Sequence, residues 1–262
     1  MTRSGPEIAP LLGEAMDPGM STIQAGLAAV RARIARSAHS AGRDPASVRL
    51  IAVSKTFPAE LVAQAVACAQ SAFGENYAQE GVAKMAAVNA LLQREQERAG
   101  DLRAPLPVVE WHFIGPIQSN KTKIIAQHFH WAQSVDRWSV AQRLGEQRPL
   151  ELEPLQVCIQ VNVSGEASKS GVAPSATAEL AQRVAGLPRL CLRGLMTVPE
   201  PTADVHILRQ QFGVLRRLRD ELATAGFALD TLSMGMSDDL EVAVEEGATM
   251  VRVGRAIFGD RA

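Results

Sequence analysis

Apolar residues along this chain come in two rhythms. The first is helical: Ile23, Leu27, Val30, Ile34 and Ala38 recur at helical spacing ahead of Gly42, which predicts an amphipathic helix over 21–41. The second is a series of eight short continuous runs: VRLIAVS (48–54), SAFGE (71–75), VVEWHFIG (108–115), HWAQSVD (130–136), LQVCIQVN (155–162), LCLRGLMTV (190–198), TLSMGM (231–236) and MVRVGRAIFG (250–259). Helical segments are predicted between them near 58–70, 76–96, 118–128, 138–147, 174–186, 204–225 and 238–246. Unbroken apolar runs suit parallel strands buried on both faces, and strict alternation of strand and helix argues for a parallel sheet. Eight strands predict closure into one (β/α)8 TIM barrel, although a doubly wound open sheet gives much the same pattern. No shift in composition marks a second domain. The expected organisation is a disordered tail over 1–20 and a single barrel domain over 21–262, with an extra N-terminal helix.

Composition narrows the function. With 262 residues and 47% apolar side chains the chain can bury a large core, and its net charge of −1 leaves no electrostatic footprint for nucleic acid or membrane lipid. A small-molecule ligand is therefore expected. The first twenty residues lack the apolar core of a signal peptide, and no stretch reaches the length of a membrane span. Cys68, Cys158 and Cys191 stand singly at wide spacing, which indicates neither a disulfide framework nor a metal site. A soluble cytoplasmic protein is expected. Of the 27 basic residues only five are lysines, at 55, 84, 121, 123 and 169. Each lysine is correspondingly informative, because its amine can lose a proton and attack a carbonyl, which arginine cannot do.

In such a barrel the chemistry sits at the C-terminal ends of the strands. Lys55 follows the first run, with apolar residues behind it that disfavour its charged form. An amine so placed is a carbonyl trap; a lysine snorkelling to water is the alternative. Gly235 and Gly254 follow the last two runs, where these barrels build phosphate sites from backbone N–H groups, and Ser233 and Arg255 could donate to an anion. An amine at one side and an anion cradle at the other describe a pocket for a phosphorylated aldehyde. Other features read as structural. Asp238 and Asp239 suit the first turn of a helix, His112 a satisfied core position, Tyr77 helix packing, and Met196, Met234 and Met236 gaps in the core.

The segments AVSKTFPAE, FGENYAQE, EWHFIGPIQSNKTK, NVSGEASKSG, LRGLMTVPEP and LSMGMSDDLEVAVEEGATMVRVGRAIFG together resemble the pyridoxal phosphate homeostasis proteins, the YggS or proline synthetase co-transcribed family. The resemblance runs from about position 21 to 259. It implies a barrel resembling the N-terminal domain of alanine racemase that holds pyridoxal 5′-phosphate (PLP) as a Schiff base on Lys55. It also implies that Ser233, its neighbour Met234 and the Gly254-Arg255 turn meet the cofactor on the phosphate side, that Arg252 faces the pyridine nitrogen, and that Asn76 lies beside the ring. An arginine at that nitrogen disfavours its protonation and makes the cofactor a weak electron sink. Many relatives have a small hydroxyl residue in place of Arg255 and a lysine in place of Phe57. A role for that second amine, such as receiving transferred cofactor, would fall to Lys121, Lys123 or Lys169.

The function implied is PLP binding and intracellular PLP homeostasis, without strong turnover and so without catalytic residues. PLP-accepting apo-enzymes are the candidate partners, and a monomer or weak dimer is expected. The eighth strand-like run lies close to the last residue given, and no counterpart of the β-rich domain that gives alanine racemase its tyrosine is expected. Two enzymatic alternatives are a PLP-dependent amino-acid racemase and a Schiff-base aldolase acting on a sugar phosphate. Deleting residues 1–20 is expected to leave cofactor binding intact in a spectral titration; loss of binding would show the tail to be part of the site.

Overall fold

The structure, a computed structural model, describes residues 18–100, 105–165 and 170–259. Eight parallel strands form a closed barrel in chain order: β1 (Arg49–Val53), β2 (Ala72–Glu75), β3 (Glu110–Phe113), β4 (Trp131–Val135), β5 (Leu155–Gln160), β6 (Leu190–Met196), β7 (Thr231–Ser233) and β8 (Met250–Val253). Pairing of β8 with β1, Arg49 opposite Met250 and Ile51 opposite Arg252, closes the ring and excludes the open sheet. The helices are α1 (Pro18–Ser40), α2 (Ala59–Ala67), α3 (Ala78–Ala99), α4 (Thr122–His128), α5 (Trp138–Gln147), α6 (Thr177–Ala185), α7 (Val205–Thr224), α8 (Leu240–Glu245) and α9 (Arg255–Phe258). Among the described residues no helix is long and apolar enough to cross a membrane.

Local chemistry sets several of these boundaries. Asp204 caps α7 by accepting the His206 N–H at 2.8 Å, a contact that satisfies one of the otherwise unpaired donors of a first turn. The run at 250–259 divides in two: β8 stops at Val253 and the remaining apolar residues, Ile257 and Phe258, belong to α9 and are buried. The run at 231–236 likewise yields a strand only to Ser233, because Gly235 takes a φ of +95° and turns the chain. Helix α1 begins at Pro18, three residues ahead of the predicted start, whereas residues 1–17 of the expected tail lie outside the described residues. The helix that follows β8 is only one turn long, and α1 packs against α9, α8 and α2. The extra helix thus covers the strand face that a full-length eighth helix would otherwise cover.

Two apolar layers result. The larger lies between the strands and the helices, and α1 enters it through Ile23, Leu27, Val30 and Ile34. The smaller fills the barrel itself and consists of Ile51, Ala72, Trp131, Cys158, Met196 and Met250, all strand residues. Buried polar side chains, His112, Gln133, Ser233 and Arg252, share the strands with it. Close strand approach at β6 and β7 requires a glycine: a Cβ on Gly194 would lie 1.8 Å from the Thr231 carbonyl oxygen. Gly194→Ala is expected to destabilise the barrel by at least about 1–3 kcal/mol, read as a lowered urea midpoint.

Candidate functional site

A cavity of about 310 Å³ opens at the C-terminal mouth of the barrel. Its wall brings together Lys55, Asn76, Ser237, Asp238, Arg252, Gly254 and Arg255 over an apolar lining of Val53, Ile114, Val198 and Met236. Five of the seven residues expected at the cofactor therefore meet here. Lys55 sits two residues past the end of β1, on a turn closed by the Phe57 N–H donating to the Ser54 carbonyl at 3.0 Å. It is half-buried. Asn76 follows β2 directly, and its Oδ1 is buried without a hydrogen-bond partner, a group that a bound ligand could satisfy.

Arg252 is almost wholly buried at 4% exposure, and burial pushes its guanidinium down to about 10 against the pull of the Asp239 carboxylate. Its hydrogen bonds run down into the barrel. Arg252 donates to the Thr197 carbonyl at 2.8 Å and to Ser233 Oγ at 2.7 Å; Ser233 donates to Gln133 Oε1 at 2.6 Å. Gln133 Nε2 lies 2.9 Å from His112 Nδ1. Because that ring nitrogen must accept from the amide, the proton is on Nε2, which lies 2.7 Å from Glu110 Oε1. Burial holds His112 below its ordinary pKa in spite of Glu110, so the ring is neutral. The result is a line of side chains from the cavity to the far mouth.

The loop between β7 and α8 forms the opposite wall. Asp239 Oδ1 accepts the Met236 N–H at 2.5 Å and fixes the loop from within. From outside, Arg33 of α1 grips Glu241 with two contacts of 2.6 and 2.8 Å and donates to the Ser237 carbonyl at 2.8 Å. Gly235 allows the sharp entry: a Cβ there would stand 2.6 Å from that of Ala243. Arg255 is exposed and lies 3.6 Å from the carboxylate of Asp238.

Ser233 and Met234, the other two residues expected at the cofactor, do not line the cavity. Ser233 is fully buried with its hydroxyl committed to Gln133 and Arg252. Met234, the next residue along, lies in the outer core, as alternation of side chains along a strand requires. Met236, expected in the core, instead lines the cavity, and Tyr77 is not packed on its helix but 58% exposed. Phe57 is buried against Phe258 of α9, ring centroids 5.1 Å apart, so it is a packing residue. Lys121 and Lys123 stand at the start of α4 away from the cavity wall, and Lys169 lies outside the described residues. Sequence reasoning missed Gln133 and Lys84. The former was a polar residue inside an apolar run; the latter was one of few lysines, four residues after Glu80, and its ammonium is buried 2.7 Å from Glu75.

A larger cavity, about 460 Å³, opens at the N-terminal mouth beside Arg49, Arg148 and Arg193. Those cations are already matched: Arg49 by Glu110 at 2.8 Å, Arg193 by Asp230, and Arg148 by the carbonyls of Ala126 and Phe129 at 2.7 and 2.8 Å. The N-terminal mouth of such a barrel serves stability, and the C-terminal cavity is the candidate site.

Residues 26–262 match the family described as alanine racemase, N-terminal domain. The pyridoxal phosphate homeostasis protein of Pseudomonas aeruginosa is 55% identical over 242 residues, 92% of this chain and 97% of the relative. That of Escherichia coli K12 is 47% identical over 247 residues, 92% of this chain and 98% of the relative. Among solved structures, PipY of Synechococcus elongatus with PLP bound superposes with a TM-score of 0.72 at 33% identity, covering 90% of this chain and 100% of that one. Alanine racemase of Clostridium difficile 630 shares the fold, with a TM-score of 0.65 at 13% identity over 92% of this chain and 57% of that one. Sequence and fold agree that this chain belongs to the pyridoxal phosphate homeostasis protein family, within the alanine racemase N-terminal domain class.

Proposed function

We propose that this protein holds pyridoxal 5′-phosphate on Lys55 and acts in the cytoplasm as a keeper of that reactive aldehyde, contributing to vitamin B6 and amino-acid balance without substantial turnover. The observation that carries the reading is one cavity wall on which an amine, a buried cation and an unpartnered amide oxygen meet: Lys55, Arg252 and Asn76. The PLP-bound PipY structure and the names of the relatives support it.

Bound PLP would supply an electrophilic aldehyde and an electron-withdrawing ring. Lys55 would hold it through its amine. Arg252, kept in place by Ser233 and Thr197, would meet the ring nitrogen and disfavour a proton there. Ser237, Gly254 and Arg255 would receive the phosphate. Ser233 acts through Arg252, and Met234 supports the loop from the outer core. Apo-enzymes that need the cofactor are the partners such a keeper would serve.

Restricted turnover is part of the same proposal. Exchange of a substrate's α-proton on both faces needs a positioned acid and base on each. Tyr77, the chain's single tyrosine, is exposed and off the cavity wall, which supports holding rather than racemisation.

Two measurements test the proposal. Protein incubated with PLP should develop a visible absorption band, and borohydride should fix the pyridoxyl group on the peptide containing Lys55; Lys55→Ala should abolish both. A colourless protein that cannot be reconstituted would remove the reading. In deuterated water, alanine with the loaded protein should exchange its α-proton no faster than with free PLP. Exchange that depends on Lys55 would favour the racemase alternative.

A further inference from the structure

The turn that carries Lys55 has an unusual centre. Thr56, the residue after the lysine, has a φ of +68°, a region that β-branched residues avoid and that turns of this kind normally give to glycine or asparagine. Something must hold it there.

The holding groups come from β2 and α3. Glu80 Oε1 accepts the Thr56 N–H at 2.7 Å. Lys84 Nζ donates to the Ser54 carbonyl at 2.6 Å, to Glu75 Oε1 at 2.7 Å and to Glu80 Oε1 at 3.0 Å. Ser54 Oγ also donates to Glu75 Oε1, at 2.7 Å. An ammonium has three donors, and all those of Lys84 are spent. The Lys84 and Glu75 side chains are 5% and 0% exposed. The residues on both sides of Lys55 are thus fastened to one buried cluster, and Glu75 is also the neighbour of Asn76.

We propose that Lys84, Glu75 and Glu80 are positioning residues that clamp the Ser54–Phe57 turn and so aim the Lys55 amine into the cavity. This rests on the reading of Lys55 as the attachment point. The clamp holds the turn in a conformation that the Thr56 side chain resists, and so fixes the backbone direction from which the Lys55 side chain enters the cavity. With its three hydrogen bonds spent on Ser54, Glu75 and Glu80, Lys84 orients the attacking amine and does not serve as a second one.

Glu80→Ala is the informative variant, because it frees the Thr56 N–H and still leaves Lys84 bound to Glu75 and Ser54. It should weaken covalent PLP attachment about tenfold, the scale of one released backbone strain. In the ligand-free protein, it should speed amide hydrogen exchange at Thr56 by at least about tenfold. Adding Thr56→Gly should restore attachment to within about threefold of the unmutated protein, because glycine adopts the positive φ without a clamp. A merely structural loss of the Glu80–Lys84 pair would not be rescued in this way. Unchanged attachment in Glu80→Ala, or a double variant no better than the single one, would overturn the clamp. If the unmutated protein takes up no PLP, the cofactor reading falls and the exchange comparison alone decides the clamp: unchanged exchange overturns it, faster exchange supports it.

Discussion

The barrel interior is organised around one buried positive charge. A guanidinium at 4% exposure has left most of its water behind, and the low-polarity surroundings demand compensation by hydrogen bonds and by a carboxylate. Ser233 and Thr197 provide the first, with Gln133 behind Ser233 and His112 behind Gln133, and Asp239 provides the second. Positions that ordinarily carry branched apolar residues in such barrels are therefore polar here. Removing one partner of a buried charge costs about 3–5 kcal/mol, so these side chains hold one another as firmly as the apolar layer beside them.

The extra helix belongs to the same design. Because α9 ends after one turn, α1 closes the outer layer, and its Arg33 reaches the Ser237 carbonyl on the cavity wall. Phe57 and Phe258 tie the Lys55 turn to the same corner. The Lys55 turn and the β7–α8 loop of the cavity wall are thus held together where the barrel closes.

Much of this was legible in the sequence, for identifiable reasons. Buried parallel strands write continuous apolar runs, and helices between them keep their own period, so the order of elements could be read directly. Lys55 stood out because it interrupts an apolar run at the functional end of a strand. What could not be read was direction. Ser233 and Met234 are adjacent, and only the register of β7 in the closed sheet sends one inward to Arg252 and the other outward to the helices. Gln133 was hidden for the same reason, since its meaning depends on residues far along the chain. Lys84 left a fainter signal, a rare lysine one helical turn beyond Glu80, but its contact with the Ser54 carbonyl depends on how α3 lies against β1.

The line from Arg252 to Glu110 has a sense of direction. Each group donates to the next, guanidinium to hydroxyl, hydroxyl to amide, amide to imidazole, and the imidazole proton lies on the side of the carboxylate. Such an aligned row polarises along its length. A migrating proton fares differently, because the Gln133 amide keeps its hydrogens on nitrogen and cannot pass one through. The row therefore polarises without relaying: it orients Arg252 from within the barrel while denying protons a route along it to whatever Arg252 faces.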